Sequence, residues 1–202
     1  MTQSENELPH AFLSAVVSPC RAADIEEADD VYGWLVGSWS LQVLHYRGFD
    51  LRSERLTGEV HAGWALEGRA IQDVWIMPAR EDRRAGRMAR DPMNDMYGTT
   101  LRAWDPTLRA WRIAWTNPAR GHRETQIGRR VGEEIVQIGA RADGQATRWR
   151  FADITPERFH WIGEALDVDG KSWRLEGEFI ATRIGGGIED MSERHGGQPS
   201  PR

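Results

Sequence analysis

The sequence has one cysteine, Cys20, and one lysine, Lys171. A lone cysteine excludes an internal disulfide framework and any zinc site built on thiolates. With lysine almost absent, the basic side chains are nearly all arginine, which fits a GC-rich genome better than any function. Positive charge is also short overall: 26 Lys and Arg against 31 Asp and Glu give a formal charge of -5. That balance does not drive binding to nucleic acid. No apolar run approaches the roughly 20 residues of a membrane span. The stretch Ala11 to Val17 is short and follows Glu5 and Glu7 rather than a basic segment, so it does not read as a targeting signal. A soluble cytoplasmic protein is the expectation. No two histidines stand at metal-ligand spacing, and no Gly-x-Ser-x-Gly elbow occurs. Gly185-Gly186-Gly187 lacks the strand-to-helix setting of a phosphate loop. Neither a metal nor a cofactor is expected. What is plentiful is tryptophan, ten residues against five Phe and three Tyr. Such large flat rings must fill a core, a pocket, or both.

At roughly 150 residues per domain the chain amounts to one domain. Residues 1–29 show no steady period and carry acidic Asp24 to Asp30; they read as a mobile arm. Residues 184–202, rich in glycine and ending in Pro199 and Pro201, read as a disordered tail. Between them, over 30–183, apolar and polar residues alternate with the strand period of two. Trp39, Leu41, Val43 and His45 form one face of the first run. Val60, Ala62, Trp64 and Leu66 form one in the second, and Ile71, Asp73, Trp75 and Met77 in the third. Further runs lie near 97–104, 111–116, 123–129, 134–141, 147–154, 159–168 and 173–182. Asp105-Pro106, Val131-Gly132, Asp143-Gly144, Thr155-Pro156 and Asp169-Gly170 separate neighbouring runs as turns. Short turns join antiparallel neighbours. A meander this long hides its edges by closing, so the expected fold is all-β, a single antiparallel up-and-down barrel of about ten strands. Asp30 to Leu35 is read as a short helix or turn that plugs one end. Ala79 to Met96 is the long connection, expected at the mouth as a gate.

Leu35-Val36-Gly37-Ser38-Trp39-Ser40-Leu41 resembles the Gly-x-Trp opening of the calycin proteins, the lipocalins and fatty-acid-binding proteins. The closer resemblance is to bacterial lipocalin-like proteins of the uncharacterised DUF1579 type. It rests on Leu66-Glu67-Gly68-Arg69, on Tyr97-Gly98 through Trp104-Asp105-Pro106, and on Trp111-Arg112-Ile113-Ala114-Trp115. It covers about 32–183 and implies a barrel with an internal cavity, without implying one activity.

Strand phase gives a candidate lining for that cavity. Trp111, Ile113 and Trp115 share a face, as do Trp149, Phe151 and Asp153, Phe159 and Trp161, and Trp173, Leu175 and Phe179. Trp75, Tyr97, Trp111, Trp115, Trp149, Asp153 and Trp161 are the candidate ligand-binding residues; plain core packing is the competing reading of the rings. Tyr97 and Thr99 precede Leu101, and Thr125 precedes Ile127, as further polar candidates. Asp73 and His45 are the candidate acid/base residues, because a carboxylate among aromatic rings is poorly solvated and needs a partner. A buried structural hydrogen bond is the plainer role for Asp73, and a strand-end cap for Asp153. The expected function is binding of a small hydrophobic or aromatic molecule in the cavity. A cofactor-independent isomerase, cyclase, lyase or hydrolase is the alternative. Neither nucleic acid nor membrane is an expected partner, and the oligomeric state stays open, a homodimer included.

Overall fold

The computed structural model describes residues 10–87 and 95–185. The alternating runs fold as β1 (Gly37–Tyr46), β3 (Thr57–Ala65), β4 (Ala70–Met77), β5 (Met96–Asp105), β6 (Ala110–Asn117), β7 (His122–Val131), β8 (Glu134–Arg141), β9 (Ala146–Ala152), β10 (Arg158–Leu166) and β11 (Trp173–Arg183). A two-residue strand, β2 (Phe49–Asp50), hangs on the end of β1. Each long strand pairs antiparallel with the next, and β11 returns to β1, with Trp39 opposite Arg183. The ten long strands therefore close into an up-and-down barrel of the lipocalin-like kind. Closure removes the free edges that a sheet of this length would otherwise expose.

One end is stoppered by the segment that precedes β1. Gly33–Leu35 forms a single 3-10 turn, and Tyr32 and Leu35 are fully buried. Gly37 then takes a φ of 129°, a conformation closed to other residues, and turns the chain into the barrel. Trp39 follows, wholly buried, its indole N–H donating to the Leu35 carbonyl at 2.8 Å. Arg183 locks this end. It donates to the carbonyls of Val36 and Trp34 at 2.9 and 2.8 Å and lies 4.0 Å over the Trp39 ring. Trp34, Trp39, Phe151 and Phe159 meet edge to face, with centroids 4.8 to 6.1 Å apart. Such pairs add about 0.5–1.5 kcal/mol each beyond the area they bury. Trp64, Trp104 and Trp111 join the same packed half.

The described part of the expected arm is docked rather than free. It contains α1 (His10–Val16), pairs Val17 with Ala65, and buries Ile25 in the core. The expected tail lies almost wholly outside the described residues. Within Ala79 to Met96 the chain forms α2 (Arg80–Arg84), held at its base by Arg83, which donates to the Met77 and Pro78 carbonyls at 2.7 and 2.9 Å. Residues 88–94 of that connection, and with them its expected gating part, lie outside the described residues. Among the described residues no helix is long and apolar enough to cross a membrane.

Candidate functional site

The half of the barrel away from the stopper is not filled. It holds a cavity of about 480 Å³ whose rim carries Tyr46, Arg120, Asp143 and Arg174. Its wall is aromatic on one side and polar on the other. Trp149 and Trp161 stack with centroids 4.2 Å apart and planes 26° apart, and Trp115 also lines the space. Gly163 makes the stack possible, because a Cβ there would sit 2.1 Å from the Trp149 ring. The aromatic wall is thus built by a ring on β9 lying across a gap in β10.

The polar side comes from β5, β7 and β8. Thr100, Arg102, Glu124, Gln126, Gln137 and Arg141 all line the cavity. Together with Asp73, all of them except Arg141 form one hydrogen-bonded chain. Asp73, behind the wall, is bonded to Arg102 and accepts from the Thr100 amide at 3.1 Å. Arg102 Nε donates to Gln137 at 3.4 Å, and the Tyr32 hydroxyl donates to the same oxygen at 3.0 Å. Gln137 Nε2 donates to Gln126 at 3.0 Å, and Gln126 and Thr147 donate to Glu124 Oε1. Beyond Glu124 stands Arg141, its terminal nitrogens held by Glu176. Burial works to raise the Glu124 carboxyl; His122, Thr147, the charge of Arg141 and Gln126 outweigh it, so the group stays below the ordinary range. Burial likewise works to raise Glu176, and Arg141 and Arg174 pull it down. Both side chains are anions at neutral pH. Burial pushes the Tyr32 hydroxyl up, so it remains a neutral donor.

The expected lining residues divide. Trp115, Trp149 and Trp161 face the cavity. Trp75 and Trp111 point inward but are buried in the packed half, Trp75 against Trp161 with centroids 4.0 Å apart and planes tilted by 32°, and Trp111 bonded to the Asp29 carbonyl at 2.8 Å. Tyr97 lies on the outer surface, 43% exposed, with Arg83 over its ring. On β5 the inward residues are Gly98, Thr100 and Arg102, so Tyr97 and Thr99 fall on the other face. On β7 they are Glu124, Gln126 and Gly128, which puts Thr125 outside. Asp153 is past the end of β9 in a left-handed turn, φ 51°, its side chain 77% exposed. Trp173 lies on the outer face beneath the Arg148 guanidinium, 4.5 Å from its ring centre.

Asp73 and His45 are not brought together. Asp73 is 1% exposed and committed to Arg102. A bulge between Val43 and His45 breaks the alternation of β1, and His45 stands opposite Asp50 and Glu178 rather than on the cavity wall. The same bulge turns Tyr46 inward, against Phe179 and within 3.4 Å of Arg120. Among the described residues no group of three His, Cys, Asp or Glu is placed to hold a metal ion.

Fold and site together define a closed antiparallel barrel with one stoppered end and a half-polar, tryptophan-walled cavity at the other. Compared with known proteins, the sequence matches no family model and no curated protein.

Proposed function

We propose that the protein is a cytoplasmic lipocalin-like binding module, of the bacterial DUF1579 type, that takes one small aromatic molecule into its cavity. The carrying observation is the Trp149–Trp161 stack, two large rings that back onto the core and also line the cavity. The volume of about 480 Å³ suits a small molecule, since ligand pockets run from roughly 300 to 1,000 Å³. Affinity comes from burying the ligand's rings against tryptophan, and orientation from the polar wall. Neither Lys171, the one lysine, nor Cys20, the one cysteine, lines the cavity, so the wall's chemistry falls to arginine, carboxylate and amide groups.

N-phenyl-1-naphthylamine, a neutral aromatic fluorophore, tests this reading. It should bind saturably, one per chain, with its own emission rising as tryptophan emission falls. Trp161→Ala should weaken it about 2- to 12-fold, the worth of one aromatic contact. Binding that does not saturate, or that ignores Trp161→Ala and Trp149→Ala together, would count against the cavity as the site.

A further inference from the structure

The cavity wall holds polar atoms that the protein itself does not satisfy, and their arrangement narrows the ligand further. Glu124 Oε1 is filled by Gln126 and Thr147. Glu124 Oε2 has no hydrogen bond within 3.5 Å among the described residues, only two longer ion-pair contacts, with Arg141 Nε at 3.8 Å and His122 Nε2 at 3.6 Å. Arg141 Nε is buried and without a hydrogen-bond partner, while the terminal nitrogens of that guanidinium belong to Glu176. An anionic acceptor and a cationic donor, paired at 3.8 Å but too far apart to hydrogen-bond each other, therefore lie side by side. Farther along the wall Asn117, only 3% exposed, has an unmet amide oxygen, its nitrogen directed at the Asp95 carbonyl. The indole N–H of Trp161 is unmet as well.

A purely hydrocarbon ligand would leave all these groups buried and unpaired, which is costly. A carboxylate ligand would suit Arg141 but would bring its charge against Glu124. A cation would do the reverse. What fits is a neutral edge with a donor next to an acceptor. Resting on the binding reading above, we propose that the cavity recognises a flat heteroaromatic lactam: its ring N–H donates to Glu124 Oε2, its neighbouring C=O accepts from Arg141 Nε, and its plane packs on the Trp149–Trp161 wall. Glu124 is suited to this because it is held ionised, and bonds to a charged partner are the stronger ones. Glu176 fixes the Arg141 fork before the ligand arrives.

The test compares 2-quinolone, 1-methyl-2-quinolone and naphthalene by calorimetric titration of the purified full chain. The first carries the complete edge, the second has lost only the N–H, and the third has the ring area alone. 2-Quinolone should bind about 10-fold or more tighter than either of the others, the value of one hydrogen bond to a charged group. In Glu124→Gln, Gln126 and Thr147 keep the amide oxygen at the Oε1 position, so an NH₂ replaces the open acceptor. The preference for 2-quinolone over its N-methyl form should then vanish. Equal affinity of all three for the wild-type chain would overturn the lactam proposal while leaving the aromatic-binding reading in place. If none of them binds, and N-phenyl-1-naphthylamine also fails, both readings fall. A preference that survives in a folded Glu124→Gln variant would overturn the assignment of the edge to Glu124. The quinolone comparison is made on the wild-type chain, so it decides the proposal even if the variant does not fold.

Discussion

Asp73→Ala should lower the unfolding free energy by about 3–5 kcal/mol, a large part of the roughly 5–15 kcal/mol available to a domain. Asp73 and Arg102 are each 1% exposed, and they form a salt bridge in the barrel interior. Removing the carboxylate strands a guanidinium between the rings of Tyr32 and Phe151, which lie 5.2 and 5.7 Å away. Those ring faces attract the cation but do not replace its counter-ion. Taking the charge away as well, in Asp73→Ala with Arg102→Met, should recover much of the loss, because an apolar pair owes no desolvation. Urea unfolding followed by tryptophan emission measures both. A single variant that loses less than about 1 kcal/mol, with a double variant no better, would mean that the pair is not buried as described. The same experiment bears on chemistry. A carboxylate committed to Arg102 and screened from the cavity holds the polar wall together rather than serving a bound molecule.

Gly163→Ala should be the most damaging exchange on the aromatic side for its size. One methyl group would sit 2.1 Å from the Trp149 ring, and Gly177, beneath the same ring, would meet it at 3.1 Å were it alanine. The ring has to leave its place, and with it goes the stack on Trp161. Overpacking of this kind costs about 1–3 kcal/mol. The functional effect should exceed the structural one, since a displaced Trp149 fills part of the cavity. Thermal unfolding and a probe titration of the variant read both effects. An unchanged melting temperature together with unchanged probe affinity would show that Trp149 does not rest on β10.

The barrel was readable from sequence because its packed half obeys a simple contrast. Trp39, Leu41 and Val43 alternate with serines and glutamine, and Ile71, Asp73 and Trp75 keep the same phase, so inside and outside separate on sight. The candidate site was less legible, and for the same reason. On β7, His122, Glu124 and Gln126 alternate with Arg123, Thr125 and Ile127, so the buried face is the more polar one. On β8, Gln137 is buried while Ile138 is 47% exposed. A cavity wall that must present polar atoms inverts the contrast on which strand phase is read. Arg102 went unnoticed because a lone arginine in a strand reads as a solvated side chain. Two bulges account for further differences. The irregularity after Val43 removes His45 from the wall and turns Tyr46 inward, and the one opposite Gly163 and Glu164 puts Trp173 outside although Phe179 is inside. A bulge adds one residue and shifts everything beyond it to the other face. One signal was available: Glu124-x-Gln126 sits next to Gly128 in a chain already known to close, and a closed barrel gives every strand an inner face whatever its composition.

Native mass spectrometry of the freshly purified chain, alone and after addition of 2-quinolone, tests the central claim most directly. The account predicts a single bound small molecule per chain, carried from the cell or supplied by the addition. It also predicts that the complex is lost in Trp149→Ala/Trp161→Ala, which removes the wall, once circular dichroism has shown that the variant folds. A chain that stays at its own mass under both conditions, or a double variant that holds the molecule as firmly as the wild type, would contradict it.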